Sequence, residues 1–395
     1  EVCILRLSAI GDTCHVLTVV RTLQRAWPQT RFTWIIGKFE AKLLGFVPDI
    51  EFIVFDKRHS LRDLRHFRAL MAGRRFDLLL HMQLSIRASL LSTHIPTSVK
   101  LGFDRARARE LQWLFTTHRI VPREREHVLD SLFGFAEALG VHDRVLRWDI
   151  ALPKDAREYA ANIVDDRRPT VVISPCSSHA RRNWRAEYYA QVADHSVRVH
   201  GARVVLTGGP SALERVMGQE IEKSANAQLL NLIGRDTLPQ MHALLERADV
   251  LVSPDSGPVH MATAVGTPVI GLYAATNPER SGPYLSRSWC VNRYGEAAQK
   301  FLGRPANELA WTTKIENPGG MDLNQPPDVD VAVKVLFVIT LLTLAPSIIL
   351  LMTCFMRIAI VLSFVRTALS LQAAPANQMI IGLSLFLTLF IMAPT

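Results

Sequence analysis

At 395 residues the chain is long enough for two or three domains, and its formal net charge of +9 suits an anionic substrate or an anionic membrane surface. Five cysteines, Cys3, Cys14, Cys176, Cys290 and Cys354, show neither C-x-x-C pairing nor histidines at metal spacing, which argues against a disulfide framework or a zinc module. The basic residues are not interleaved with aromatics along one stripe, so no nucleic-acid partner is expected.

Glu1 leads straight into a strand-like run, Val2 to Leu7, with no basic and apolar leader, and a cytoplasmic compartment is expected. Further strands are read at Phe32 to Ile36, Phe52 to Phe55, Asp77 to His81 and Val99 to Phe103. Val16, Val19, Val20, Leu23 and Trp27 recur at helical spacing over His15 to Trp27, and Pro28 ends that helix. After the charged, proline-bearing stretch Pro153 to Pro169 a second set follows. Its strands are Thr170 to Ser174, Arg203 to Thr207, Leu229 to Ile233, Asp249 to Ser253 and Val269 to Tyr273. Its helices are Ala186 to His200, Ser211 to Ser224 and Leu238 to Arg247. Strand and helix in alternation predict an α/β fold of two doubly wound, Rossmann-like domains, with ligands at the carboxyl ends of the strands. No G-x-G-x-x-G follows a strand, which disfavours a dinucleotide-dependent dehydrogenase.

From Val335 to Met356 there are 22 residues without a charge, and from Ser370 to Thr395 another 26. Runs of that length are long enough to cross a bilayer, although Pro346 and Pro375 would kink or end helices in them. The expected layout is a first domain over residues 1–155, a second over 168–323, a junction over 324–334 and an apolar, membrane-type helical tail over 335–395.

Three stretches carry the chemistry. The first, Leu7-Ser-Ala-Ile-Gly-Asp-Thr13, is a glycine turn that brings Asp12 to the end of the first strand. The second, Ser174-Pro-Cys-Ser-Ser-His-Ala-Arg-Arg-Asn-Trp184, follows the first strand of the second set. In the third, Pro254-Asp-Ser-Gly-Pro-Val-His260, a strand runs into a helix whose free N–H groups form an anion site. With Gly266-Thr-Pro-Val-Ile-Gly271 and Thr276-Asn-Pro-Glu-Arg280, this last segment resembles the donor-site signature of family 9 glycosyltransferases, the lipopolysaccharide heptosyltransferases. The resemblance spans Val2 to about Leu323 and implies the GT-B architecture.

It also implies an inverting, metal-independent transfer of heptose from ADP-heptose to a lipid A/Kdo-type lipopolysaccharide acceptor at the cytoplasmic face of the inner membrane. No cofactor is then needed. By the family's S-x-x-G-D motif Asp12 is the general base, with an ordinary helix cap as the plain alternative. Ser177, Ser178 and Arg182 are candidates for the diphosphate, with Arg181 leaving the choice of arginine open. Ser256 and Gly257 offer backbone N–H groups to the same anion, Asp255 accepts from sugar hydroxyls, and His260 stands one turn further in. Thr276 and Arg280 are weaker donor candidates. Arg58, Arg62 and Arg65 are candidates for the anionic acceptor, on a segment that a solvated helix face explains equally well. Asp328-Val-Asp330 has the form of a metal-binding D-x-D string but lies beyond both sheets and is read as coincidence; no metal site is expected. A nucleotide-sugar 2-epimerase of the same architecture is the rival enzyme.

The tail, LLTLAPSIILLMTCFMRIAIVLSFVRTALSLQAAPANQMIIGLSLFLTLFIMAP, resembles the opening of FliP, an inner-membrane component of the flagellar export gate, and departs from it at Cys354 and Ser370. A natural membrane-tethering fusion and a degenerate anchor are two origins for it. The leading expectation is an artefactual join of two unrelated sequences.

Overall fold

The computed structural model describes residues 1–56, 60–164, 168–334 and, beyond them, 337, 358, 360–363, 379, 382–384 and 386. The chain divides into two compact units, Glu1–Asp330 and Val331–Thr395. In the first unit the strands are β1 (Val2–Leu5), β2 (Phe32–Gly37), β3 (Glu51–Phe55), β4 (Leu78–His81), β5 (Lys100–Gly102), β6 (His118–Arg119), β7 (Thr170–Ile173), β8 (Arg203–Leu206), β9 (Leu230–Asn231), β10 (Val250–Pro254), β11 (Val269–Tyr273) and β12 (Val291–Asn292). Its helices are α1 (Ile10–Ala26), α2 (Ala41–Leu44), α3 (Ser60–Met71), α4 (Ile86–Ser92), α5 (Val128–Glu137), α6 (Lys154–Ile163), α7 (Ala186–His200), α8 (Ala212–Ser224), α9 (Leu238–Arg247), α10 (Gly257–Val265), α11 (Pro278–Ser281) and α12 (Tyr294–Leu302).

The strands form two six-stranded sheets with every neighbouring pair parallel, ordered β3-β2-β1-β4-β5-β6 and β12-β11-β10-β7-β8-β9. Numbered within its own half, each sheet follows the doubly wound order 3-2-1-4-5-6, so each has a switch point between its first and fourth strands. The central strands read as unbroken apolar runs because helices cover both faces: all of β1, β7 and β11 is buried.

The expected strands and the observed ones differ mainly at edges, whereas α2, α4, α5, α6, α11 and α12 have no counterpart among the expected helices. β6 and β12 are two residues each and carry no apolar run, so periodicity gives no sign of them. α1 starts at Ile10 rather than His15. Gly11, a poor helix former, sits in that first turn where it meets His260, whereas Asp12 suits the positive end of the helix. Beyond the second sheet, Trp184 Nε1–H donates to the Asn324 carbonyl at 3.0 Å and Arg293 pairs with Asp328 at 2.7 Å. Residues 324–328 are therefore bonded to the second sheet's half. The expected apolar spans of the tail fall mostly outside the described residues. Among those described, no helix is long and apolar enough to cross a membrane.

Candidate active site

Both switch points open on one cleft of about 1680 Å³ within the first unit. On the first sheet β1 ends at Leu5 and the chain passes through residues 6–9 into α1. Gln83 Oε1 fixes this loop by accepting the N–H groups of Leu7, at 3.0 Å, and Ser8, at 3.1 Å. Arg6 is buried, donates to the Met82 carbonyl at 2.5 Å and forms an ion pair with Asp12. Asp12 stands in the first turn of α1, where it also accepts the Ala9 N–H at 3.5 Å. The N-cap is Ala9, so Asp12 is not the cap residue; at the third helical position it accepts the cap residue's N–H and also lines the cleft. Its side chain remains 35% exposed and lines the cleft, so an incoming hydroxyl can reach it. Arg6 was not singled out from sequence; an arginine at the end of the apolar run Val2 to Leu7 was its signal.

On the second sheet β7 leads into the loop that carries Ser177, Ser178 and Arg182. The Ser177 N–H donates to Asn183 Oδ1 at 2.7 Å and its hydroxyl to the His179 carbonyl at 2.9 Å. Those bonds commit Ser177 to shaping the loop, whereas Ser178 is exposed on the cleft wall. Of the two adjacent arginines, Arg182 lines the cleft and Arg181 is exposed elsewhere. Arg182 pairs with Asp255 at 3.6 Å and Glu316 at 3.5 Å, and its buried Nε has no partner. Asp255 is therefore already engaged by a cation. One residue on, Ser256 is the extended N-cap of α10; its hydroxyl turns to Ser253 at 2.9 Å and caps nothing. With Pro258 lacking an N–H and Val259 buried off the cleft lining, the Ser256 and Gly257 N–H groups are the donors that this helix start presents.

The two helix starts press on each other. A Cβ on Gly11 would collide with the His260 ring, and one on Gly257 with the Ile10 side chain. Two glycines, one on each helix, are what allow the contact. His260 packs edge-on to His15, with ring centroids 4.5 Å apart, and His15 edge-on to His127 at 5.7 Å. Burial lowers all three titrations, His15 well below the ordinary value and His127 to about 4, so the knot is uncharged at neutral pH. His127 also bonds across to the Gly282 carbonyl at 3.0 Å, and the Tyr284 hydroxyl donates to Asp130 at 2.8 Å.

A third group, absent from the sequence reading, follows β8. Glu214 accepts the Gly209 N–H at 2.7 Å and the Ser211 hydroxyl at 2.5 Å. Asp236 accepts the Thr207 hydroxyl at 2.8 Å, and burial raises its pKa to about 6. Both line the cleft. The glycine-rich turn Gly208-Gly-Pro-Ser211 after a strand was the available sign.

Asp12, Ser177, Ser178, Arg182, Asp255, Ser256, Gly257 and His260 are thus brought together on one cleft. Thr276 is buried and is not among the residues that line it. Arg65 is exposed on α3, also off the lining; Arg62 lies on the same helix, and Arg58 falls outside the described residues. Asp328 is bound to Arg293, and Asp330 lies 3.5 Å from His195. Among the described residues no three of His, Cys, Asp and Glu gather as a metal-binding group.

Residues 64–311 match the model of glycosyltransferase family 9 (heptosyltransferase), and residues 338–395 that of the FliP family. The lipopolysaccharide core heptosyltransferase OpsX of Haemophilus influenzae is 42% identical over 316 residues, covering 80% of this chain and 91% of that one. A family 9 glycosyltransferase from Veillonella parvula superposes with a TM-score of 0.70 at 23% identity, over 85% of this chain and 97% of its own. The ADP-heptose lipopolysaccharide heptosyltransferase II of Escherichia coli gives 0.67 at 18%, over 86% and 98%. Those two likenesses establish the fold. The tail is 58% identical over 72 residues to the flagellar biosynthetic protein FliP of Bacillus subtilis, 18% of this chain and 33% of that one. The chain therefore spans about a third of that relative.

Proposed function

The chain belongs to glycosyltransferase family 9, the heptosyltransferases, and on that footing we propose that it moves a heptose from ADP-heptose to the inner core of lipopolysaccharide, with inversion and Asp12 as general base. One observation carries the reading. Asp12, at the switch point of the first sheet, opens on the same cleft as the start of α10 and Arg182, at the switch point of the second. A carboxylate and a helix start that open on one space support a single displacement.

In this scheme the acceptor hydroxyl gives its proton to Asp12 while its oxygen bonds to the anomeric carbon of the heptose. The bond from that carbon to the diphosphate oxygen breaks on the opposite face, and ADP leaves. The Ser256 and Gly257 N–H groups, the dipole of α10 and Arg182 offset the charge that develops on the departing diphosphate. Arg6, tied to Met82, orients the Asp12 carboxylate. Glu214 and Asp236, further along the cleft, suit the hydroxyl and amino groups of a nucleoside. The scheme draws on no metal, and its acceptor places the enzyme at the cytoplasmic face of the inner membrane. The FliP-like tail has no step in it.

The test is the stereochemistry of the product. The new glycosidic bond should have the anomeric configuration opposite to that of the donor, formed equally well in EDTA and only when acceptor is present. Retained configuration would remove the single displacement. Donor turnover without acceptor would favour the epimerase.

A further inference from the structure

The cations that line the cleft fall into two classes. Arg6 is paired with Asp12, Arg107 with Asp104 and Glu126, Arg123 with Glu126 and Glu137, and Arg182 with Asp255 and Glu316. Arg125 donates to the Asn307 carbonyl and lies over the Trp311 ring. Arg280 and Arg109 differ from these: both line the cleft, and neither guanidinium has a hydrogen bond or ion pair among the described residues.

Arg109 is exposed, and its freedom costs little. Arg280 is half-buried on α11, and burial lowers its titration. The charges of Asp12, Asp255, Arg109 and Arg182 all act on it, two attractive and two repulsive. A guanidinium withdrawn from water without a partner is unfavourable by itself, and an anion entering the cleft would relieve it. The donor diphosphate already has its own receptor in the start of α10 and Arg182. Arg280 lines the cleft between that receptor, whose Asp255 and Arg182 act on it, and two groups of the first sheet's half, Asp12 and Arg109. An anion held there lies beside the base, where the acceptor must be.

We propose that Arg280 anchors the acceptor: with Arg109 supplied from the other half of the cleft, it receives an anionic group, a carboxylate or phosphate ester, on the saccharide whose hydroxyl Asp12 deprotonates. The inference rests on the transferase reading given above. It makes Arg280 a specificity-determining residue of that reaction, selecting acidic over neutral acceptor sugars. The planar fork of arginine suits such a group better than an ammonium does.

Binding of Kdo-bearing lipid A in detergent micelles, measured by calorimetry on full-length Asp12→Asn and Asp12→Asn/Arg280→Ala proteins, tests this without turnover. Removing Arg280 should weaken acceptor binding roughly tenfold or more, the loss of one charge-assisted contact. ADP affinity and the thermal midpoint should hold, and Arg280→Lys should recover part of the binding. Unchanged acceptor affinity, or a loss of ADP affinity matching the loss of acceptor, would overturn the assignment. A lowered midpoint with both affinities intact would mark Arg280 as structural and overturn it too. A wild-type protein that transfers no heptose would count against the functional reading, while the binding comparison would still decide Arg280.

Discussion

The two sheets of the first unit share one strand order, and their switch points face the same cleft, yet the residues at those points differ in kind. At the first, a carboxylate held by a buried arginine stands open to solvent. At the second, a carboxylate on the cleft is paired with an arginine, beside the free backbone N–H groups of a helix start. Topology sets where a ligand lies; side chains decide what is done to it. On the proposed reading the first region serves proton transfer and the second binds an anion.

The largest expected effect separates the two. Asp12→Asn should lower kcat by roughly 10²- to 10⁴-fold, the usual worth of a general base, in a steady-state assay of ADP release. Arg182→Ala acts on the other region and should weaken ADP binding roughly tenfold to a hundredfold by calorimetry, through loss of a charge-assisted contact. Gly257→Ala attacks the join between them: its new methyl group meets Ile10, and the denaturation midpoint should fall by the equivalent of about 1–3 kcal/mol. Gly11→Ala, which meets His260, should behave alike.

A subtler effect comes from pH. His81, His127 and His242 titrate at about 3, 4 and 4 in the folded protein because burial disfavours their charged forms. Below the ordinary histidine value the unfolded chain takes up protons that the folded one refuses, so stability is present above about pH 6.5 and is lost as pH falls toward 4. Asp236, raised to about 6, acts in the opposite sense, favouring the folded state as pH falls. One such group against three histidines leaves the net slope downward on acidification, which thermal melts from pH 7.5 to 4.5 should show. The smallest effect is expected from the tail. A chain ending at Lys334 should keep its turnover, whereas one ending at Leu323 should melt earlier because it loses the Asn324 and Asp328 bonds.

Much of this was legible in the amino-acid order. α7, α9 and β11 have the limits that periodicity gives them: Gly201 caps α7, a capping box at Thr237 opens α9, and β11 is buried throughout. The cleft positions of Asp12, Arg182 and Asp255 were legible because they follow strand ends of a doubly wound sheet, next to the turns that mark them. Arg6, Glu214 and Asp236 were not, because their positions on the cleft follow from which strands lie side by side. The contact of Gly11 with His260 joins residues from opposite halves of the unit, and no local pattern encodes such a pairing. Thr276 shows the converse: a motif residue that is buried and off the cleft lining.

The most direct measurement is the affinity of ADP for the parent protein, Asp12→Asn and Arg182→Ala, by calorimetry under one set of conditions. The expected result is an affinity near the parent value for Asp12→Asn and a clear loss for Arg182→Ala. Equal losses in both, or none in Arg182→Ala, would contradict the division of the cleft into a proton-transfer side and an anion-binding side.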